Sequence, residues 1–398
     1  MRKAATGRSD PAPPYHRRMA HPTTTAIGTW SGGRFMHFGE PLDDERLVAL
    51  LRPGGGVDTV MTADAYGAGE ADRMLGRALE GVDRDAFVAV GAVGHDFYEG
   101  EREGAKGFPR FTDARLRGPE GYAGYLRMAT ERSLERCGLE RFDLLLLHNP
   151  DRTGYTSEAV WDGMAALRDA GLTDLIGVAP GPANGFTLDL IDCFERFGDR
   201  IDWAMVILNP LEPWPGELVL DAAAAGDVQV ITRVVDYGGL FWDDVTPGTE
   251  FRRFDHRGFR PVGWVAAGLE RMAPMRPIAE RHGLTMLQLA CHWNLAHDAV
   301  ACVAPTLIQE TGDAARPIEA KRAELAGVTG SAPVLTGDEV AEIRRLGDNT
   351  GSMALKGAAP GYDGPAVADN WPLQPDLVEL GRRWGIEAER DLARSAAG

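Results

Sequence analysis

The chain has 398 residues, of which 44% are hydrophobic and 25% are charged, a balance typical of a globular protein with a core of ordinary size. Its apolar runs are much shorter than the roughly 20 apolar residues of a membrane-spanning helix, so we expect no membrane segment. The formal net charge is -17, and a charge of this sign repels polyanions. Nucleic acid is therefore not an expected partner.

The cysteines and the N-terminal region favour a cytoplasmic protein. Four cysteines, at positions 137, 193, 291 and 302, lie far apart without CxxC or CxxH spacing, which predicts neither a zinc site nor a disulfide framework. No group of His, Asp and Glu has the spacing of metal ligands, so no metal is expected. Residues 1–23 are rich in Pro and basic residues and lack the apolar segment of a secretory signal, which predicts a disordered tail.

Short apolar runs and amphipathic segments follow one another from residue 24 onward. The runs do not alternate between apolar and polar residues, which indicates strands buried on both faces, as in a parallel sheet. They cover residues 24–30, 57–62, 86–93, 142–148, 174–179, 203–208, 227–232 and 299–304. Eight strands with helices between them predict an α/β fold, the (β/α)8 TIM barrel. A doubly wound open sheet is the alternative, and we rank it lower because no G-x-G-x-x-G follows the first strand.

We place the barrel at residues 24–346. Two segments are additions to the minimal fold, one a loop within this range and one an extension after it. A long loop after the seventh strand, residues 236–264, carries several arginines and aromatic residues and is predicted to cover the active site. A C-terminal extension, residues 347–398, is expected to pack on the barrel. Within it, residues 350–372 are predicted to close over the barrel mouth, because their apolar side chains would otherwise be exposed.

The candidate functional residues follow the predicted strands, because barrel active sites lie at the carboxyl ends of strands. A phenol and an imidazole at neighbouring strand ends can together protonate and orient a substrate oxygen, which is carbonyl chemistry. Structural roles are the alternative, since a tyrosine before a glycine-rich turn can simply pack its ring. The predicted catalytic residues are Tyr66, His148, His95 and Asp64, and the predicted substrate-binding residues are Asn149, Arg233 and Trp30.

Three segments in chain order resemble the aldo-keto reductase superfamily of (β/α)8 barrels. They are residues 63–79 (ADAYGAGEADRMLGRAL), 132–151 (RSLERCGLERFDLLLLHNPD) and 166–179 (ALRDAGLTDLIGVA). The resemblance extends from about residue 24 to residue 346. It implies a barrel enzyme of a family whose members are typically NADPH-dependent reductases of aldehydes, ketones and sugars. Their catalysis uses an Asp, Tyr, Lys and His tetrad in which the tyrosine donates a proton.

The resemblance assigns the tetrad tyrosine to Tyr66 and the tetrad histidine to His148. Met61 stands at the position of the aspartate, and Ala92 stands at the position of the lysine. An ammonium group beside a phenol lowers the pKa of the phenol, and neither of these two residues carries a charge. Tyr66 is then expected to titrate near the ordinary tyrosine pKa of about 10.

The positions that hold the nicotinamide ring in the family also differ here. The family's Ser-Asn after strand five reads Ala-Pro at residues 179–180, its glutamine in strand six reads Met205, and its stacking tyrosine after strand seven falls near Arg233. The Pro-Gly after strand eight reads Pro-Thr at residues 305–306. Because the departures fall on one pocket, we expect no cofactor, or NADP if the chain is an oxidoreductase with a remodelled site.

Three functional hypotheses remain open, each with a small molecule as the partner or substrate. The first is an isomerase or lyase that acts on a sugar-like hydroxy-carbonyl compound through Tyr66 and His148, with His95 or Asp64 as a second acid or base and without NADPH hydride transfer. The second is an NAD(P)H-dependent aldo-keto oxidoreductase. The third is a barrel that binds a ligand without catalysis.

Overall fold

The computed structural model is a barrel of eight parallel strands, each hydrogen-bonded to the next in chain order. It describes residues 21–103, 107–181, 186–260, 262–312, 315–328, 334–350 and 375–392. The amide of Val303 donates to the carbonyl oxygen of Thr24 at 2.9 Å, which joins the last strand to the first. The predicted barrel is confirmed, and the doubly wound alternative is wrong. The strands are β1 (Ala26–Gly28), β2 (Thr59–Met61), β3 (Val88–Val93), β4 (Phe142–His148), β5 (Thr173–Ala179), β6 (Trp203–Ile207), β7 (Gln229–Arg233) and β8 (Val300–Ala304).

Helices cover the outside of the barrel, and their ends follow local capping chemistry. The helix that precedes β8 begins at a capping box, in which the side chains and amides of Thr285 and Gln288 hydrogen-bond reciprocally. The helix before β4 ends at Gly138, whose left-handed backbone suits glycine. The helices are α1 (Asp44–Leu51), α2 (Glu70–Leu79), α3 (Tyr122–Cys137), α4 (Arg152–Thr156), α5 (Glu158–Asp169), α6 (Phe186–Phe197), α7 (Leu220–Ala225), α8 (Trp264–Met272), α9 (Arg276–Arg281), α10 (Met286–Leu295), α11 (Ile318–Ala326), α12 (Gly337–Leu346), α13 (Pro375–Arg383) and α14 (Ala388–Asp391).

Alternating side chains along each strand fill either the barrel interior or the layer under the helices. In β4, Leu146 lies in the interior cluster, whereas Leu145 and Leu147 belong to the layer between strands and helices. Both layers are buried, which explains why the strands read as continuous apolar runs. The interior cluster also contains Met61 and Ala92, at the two positions where the family resemblance places charged tetrad residues.

The long segment after β7 is tied to the loops after β1 and β8 by buried charges. The Arg257 guanidinium donates through Nη2 to Asp255 at 2.8 Å and to Glu310 at 3.0 Å. Asp255 also accepts from the amide of Gly39 at 2.8 Å. All three charged side chains are buried. The segment is therefore anchored against two neighbouring loops of the barrel mouth, and its function as a cover for the site stays a prediction.

Within the C-terminal extension, α13 lies beside α6. The Trp384 indole donates to Glu195 at 2.8 Å, and Arg152 forms an ion pair with Asp376 at 3.1 Å. Residues 351–374, which hold most of the segment predicted to close over the mouth, lie outside the described residues, as do residues 1–20 of the predicted tail. Within the described ranges, no helix has both the length and the apolar character that crossing a membrane requires.

We expect Arg257→Met to lower the free energy of unfolding by about 3–5 kcal/mol, because it leaves two buried carboxylates without their cation. Urea denaturation followed by circular dichroism measures the change. Arg253→Met, which removes an exposed arginine of the same segment, is the matched control and should change the value by about 0.5 kcal/mol or less. Equal small effects of the two substitutions would contradict the anchoring function of Arg257.

Candidate active site

Three aromatic side chains meet at the carboxyl ends of β2, β3 and β4. His148 is the last residue of β4, and Tyr66 and His95 follow β2 and β3. The ring centroids of Tyr66 and His148 lie 5.6 Å apart with the planes at 89°, and those of His95 and His148 lie 5.0 Å apart. We call these three residues the aromatic cluster. The structure thus brings together three of the four residues that the sequence predicts as catalytic.

The glycine-rich turn after β2 places Tyr66 at the barrel mouth. The Tyr66 amide donates to the carbonyl oxygen of Ala63 at 3.0 Å, and the phenol ring packs against the interior cluster. Gly67 has φ of 59°, a conformation that glycine adopts at little cost. A Cβ at Gly67 would lie 3.1 Å from the Phe35 ring. The glycine-rich sequence therefore forms a turn between β2 and α2, and this turn places the phenol of Tyr66 at the mouth.

His95 is held by contacts on both of its ring nitrogens. Its Nδ1 lies 3.2 Å from the carbonyl oxygen of Phe108, and its Nε2 lies 3.2 Å from the side-chain amide of Asn149. With Nδ1 protonated, the ring donates to the carbonyl and accepts from the amide. Arg110 lies 3.3 Å from Nδ1 and donates through Nε to the carbonyl oxygen of Asn149. The predicted substrate-binding residue Asn149 therefore orients His95 in this structure.

Sequence reasoning missed Arg110. The residue lies in the irregular chain between β3 and α3, where no periodic pattern or motif marks it. A single antiparallel bridge pairs it with His95 and brings it to the mouth. That pairing joins residues across a long loop, and local sequence carries no signal for it.

Burial keeps the two histidines neutral. Desolvation lowers the pKa of His95 to about 3, and the charge of Arg110 acts in the same direction. Desolvation also lowers the pKa of His148, and His95, Arg110 and Arg233 add to this effect. The Nδ1 atom of His148 is buried and has no hydrogen-bond partner among the described residues. At neutral pH neither imidazole is a strong base, and His148, unlike His95, keeps a ring nitrogen that can exchange a hydrogen bond with a ligand.

Burial also determines the protonation state of Tyr66. It raises the pKa of the phenol above its ordinary value near 10, and the positive charge of Arg233 opposes that shift. Arg233 is the last residue of β7, and its Nη2 donates to the carbonyl oxygen of Pro180 at 2.8 Å. The sequence-based expectation of an ordinary pKa is therefore wrong, because it did not include the desolvation of the phenol. Tyr66 is protonated at neutral pH and available as a proton donor.

Asp64 does not join the aromatic cluster. Its amide donates to the carbonyl oxygen of Ala92 at 3.1 Å, so the extended chain continues beyond β2, and Ala63 belongs to the interior cluster. By alternation, Asp64 faces the helices. Burial, together with the nearby charge of Asp72, raises the pKa of its carboxyl well above the usual range, while Arg136 of α3 opposes this shift. The predicted acid–base function of Asp64 therefore has no geometric support at the mouth.

Apolar side chains line the interior next to the aromatic cluster. The lining consists of Met61, Ala92, Ala179, Met205 and Ala304, with Trp30 packed against them. The carbonyl oxygen of Pro180 already accepts from Arg233. A nicotinamide carboxamide needs hydrogen-bond partners, and methyl and thioether groups are poor ones. These residues therefore do not fit a nicotinamide held in the way that the family resemblance implies.

We expect the free energy of unfolding to fall between pH 7 and pH 5. Unfolded His95 takes up a proton near pH 6.5, whereas folded His95 does so only near pH 3. Below pH 6.5 the unfolded state therefore binds more protons, and His95 alone costs about 2 kcal/mol of stability at pH 5. Urea denaturation of His95→Gln should show a smaller fall than wild type or the control His297→Gln. The same pH dependence in all three proteins would contradict a neutral buried His95.

Comparisons with known proteins agree with the fold and identify the family. The model of the Aldo/keto reductase family matches residues 26–312, which is more than half of the chain. An aldo-keto reductase of Mycolicibacterium smegmatis is 29% identical over 231 residues, which cover 57% of this chain and 69% of that protein. A 6-dehydroglucose reductase of Agrobacterium fabrum is 23% identical over 61% of this chain and 71% of its own length.

Solved structures show the same barrel. The glycerol dehydrogenase of Gluconobacter oxydans superposes with a TM-score of 0.61 at 22% identity, covering 81% of this chain and 90% of that protein. An aldo-keto reductase of Klebsiella pneumoniae, solved with NADP and acetate, superposes with a TM-score of 0.54 at 20% identity, covering 81% and 90%. At this level of identity the structures support the fold alone. The family match across the barrel shows that this chain belongs to the aldo/keto reductase family.

Proposed function

We propose that this chain is an oxidoreductase that acts on the carbonyl group of small, sugar-like hydroxy-carbonyl compounds. One observation carries the proposal: a half-buried phenol, Tyr66, contacts a neutral imidazole, His148, at the mouth of an aldo/keto reductase barrel. Relatives named 6-dehydroglucose reductase and D-threo-aldose 1-dehydrogenase support a sugar-like substrate.

Tyr66 and His148 act as two hydrogen donors toward one substrate oxygen. A phenol is protonated at neutral pH, so Tyr66 holds a proton that it can transfer when the carbonyl carbon is reduced; burial raises its pKa and makes the transfer harder, and the charge of Arg233 opposes that effect. Neutral His148 donates a hydrogen bond to the same oxygen and orients it. Two donors at one oxygen stabilise the negative charge that develops there during reduction.

The protonation states favour reduction over proton abstraction from carbon. Abstraction needs a base whose pKa lies near the working pH. Burial lowers the pKa of both His95 and His148, and Asp64 faces the helices. The three residues of the aromatic cluster therefore include an acid and hydrogen-bond donors but no strong base. Reduction requires an acid, and Tyr66 is a protonated phenol at the mouth whose pKa lies above the working pH, so its proton transfer depends on the hydride that reaches the carbonyl carbon.

The family implies NADP(H) as the source of the hydride. Because the lining residues do not fit the carboxamide in the family's manner, a dinucleotide must be held here by other contacts. The roles that we assign to Tyr66 and His148 are limited to the substrate oxygen. Tyr66 supplies the proton, and His148 orients the carbonyl group. His95, fixed by Asn149, packs beside His148 and restricts its position.

A second candidate is an isomerase or lyase that acts on the same class of compound without NADPH. The apolar lining at the carboxamide positions favours it, because these side chains offer no hydrogen bonds to a nicotinamide carboxamide. In this alternative Tyr66 and His148 serve as acid and oxyanion donor, and His95 serves as the second acid or base. Arg233 would then hold an anionic group of the substrate.

We expect Tyr66→Phe to lower kcat for NADPH-dependent reduction by about 100-fold or more, because it removes the proton donor. The assay follows NADPH oxidation with a panel of hydroxy-aldehydes and aldoses that includes 6-dehydroglucose. His148→Gln should lower kcat by a smaller factor, since an amide can still donate a hydrogen bond. Tyr98→Phe, which alters a phenol bonded to Arg136 outside the mouth, is the matched control and should retain activity.

Two results would overturn the proposal. If NADPH and NADH do not bind in a fluorescence titration, and the protein interconverts or cleaves aldoses in a manner that depends on Tyr66, the isomerase or lyase is correct. Unchanged turnover in Tyr66→Phe would reject both candidates, since both use the phenol.

A further inference from the structure

We propose that Asn149 is a positioning residue for His95. Its side-chain amide holds the His95 ring in the tautomer with the proton on Nδ1, so neither ring nitrogen of His95 is available to the substrate oxygen. The inference rests on the proposed function, in which Tyr66 and His148 bind that oxygen. It differs from the sequence-based prediction, in which Asn149 binds substrate and His95 is catalytic.

The backbone of Asn149 is fixed between the ends of three strands. The residue directly follows β4, and its amide donates to the carbonyl oxygen of Ala179, the last residue of β5, at 2.7 Å. Its own carbonyl oxygen accepts from Nε of Arg110, which pairs with His95 after β3. Its φ of 47° lies in the left-handed region, which asparagine adopts more readily than most residues. The side chain therefore extends from a defined backbone position beside His95.

The backbone of His95 is fixed as well. Its carbonyl oxygen accepts from the Tyr125 hydroxyl at 2.9 Å, and an antiparallel bridge joins it to Arg110. A Cβ at Gly94 would lie 2.6 Å from the carbonyl oxygen of His148, so glycine is needed for the chain before His95 to approach β4 this closely. The contacts of the two ring nitrogens then determine the state of the His95 ring.

Two neutral states of His95 are compatible with its neighbours, and they differ at Asn149. Nδ1 lies 3.2 Å from the carbonyl oxygen of Phe108, an acceptor, and 3.3 Å from Nη1 of Arg110, a donor. With the proton on Nδ1, the ring donates to Phe108, and Nε2 must accept a hydrogen bond. With the proton on Nε2, Nδ1 accepts from Arg110, and Nε2 must donate. Nε2 lies 3.2 Å from the side-chain nitrogen of Asn149, which can only donate, so the structure corresponds to the first state.

The same contacts disfavour a positively charged His95. In the imidazolium both ring nitrogens donate, and Nε2 would then face the amide nitrogen of Asn149, which is also a donor. The guanidinium of Arg110, 3.3 Å from Nδ1, would repel a second positive charge. The lowered pKa of His95 agrees with these contacts. His95 is therefore a neutral ring with a hydrogen bond at each nitrogen.

The consequence is a difference in function between two neighbouring imidazoles. The rings of His95 and His148 are in contact, with centroids 5.0 Å apart and planes at 66°. His95 has a partner at each nitrogen, whereas Nδ1 of His148 has none among the described residues. His148 is therefore the imidazole that can change its hydrogen bonds when a ligand enters, and the fixed His95 ring limits the rotation of His148. Loss of the Asn149 amide would release Nε2 of His95 and loosen the contact between the rings.

Nitrogen NMR of protein labelled with 15N-histidine tests the tautomer directly, with the His95 signals assigned by comparison with His95→Gln. In wild type we expect the proton on Nδ1 and none on Nε2. Asn149→Asp replaces the donor by an acceptor of nearly the same shape, so Nε2 should gain a proton. A wild-type ring that carries its proton on Nε2, or an unprotonated Nε2 in Asn149→Asp, would overturn the inference.

We expect Asn149→Gly to lower kcat for a neutral hydroxy-aldehyde by about three- to tenfold and to leave KM within about twofold, because the His95 ring is no longer held against His148. Glycine adopts the left-handed backbone at little cost, so the melting temperature should stay close to that of wild type. Arg345→Met, which alters an exposed arginine of α12, is the control and should leave both constants unchanged.

The kinetic outcomes separate positioning from substrate binding. An unchanged kcat in Asn149→Gly would overturn the positioning function. A raised KM with unchanged kcat would show instead that Asn149 binds substrate. The NMR measurement needs no substrate, so the expected tautomers in a protein that reduces no carbonyl group would reject the proposed function and support the Asn149–His95 interaction.

Discussion

The chemistry of this site depends on the burial of ionisable groups at the barrel mouth. Desolvation disfavours every charged form, so it raises the pKa of Tyr66 and lowers that of His148 and His95. The aromatic cluster is therefore neutral at neutral pH, and the nearby positive charges are those of Arg110, in the chain between β3 and α3, and Arg233, at the end of β7. A neutral phenol and a neutral imidazole suit the protonation and orientation of a carbonyl oxygen.

The alternation of side chains along β-strands determines which residues face the barrel interior and its mouth. Ala63 lies in the interior, whereas Asp64, the next residue, faces α2 and α3. The same rule places Met61 and Ala92 inside the barrel, at the positions to which the family resemblance assigns charged tetrad residues. Both side chains are apolar and pack in the interior cluster, so the barrel interior carries no charge at these two positions.

Much of the fold and part of the site could be predicted from the sequence. Apolar runs buried on both faces predict a parallel barrel, and the strand ends point to Tyr66, His95 and His148. The participation of Arg110 could not be predicted, because it depends on a bridge between separate segments of the chain. The orientation of Asp64 could have been predicted, since alternation from Ala63 turns it toward the helices. The direction of the pKa shifts also depends on burial, which is a property of the folded chain. The sequence favours an isomerase or lyase because the nicotinamide positions differ from the family pattern, whereas the lowered pKa values of His95 and His148 leave these imidazoles weak as bases for proton abstraction.

The origin of the hydrogen on the product carbon tests the central claim most directly. The reaction is run in D2O with protiated NADPH and a hydroxy-aldehyde, and the product is examined by proton and deuterium NMR. If Tyr66 and His148 act on the oxygen of a carbonyl group that is reduced, protium appears on the former carbonyl carbon and deuterium only on hydroxyl groups. Enzyme-dependent incorporation of deuterium into a carbon–hydrogen bond, without oxidation of NADPH, would contradict the account.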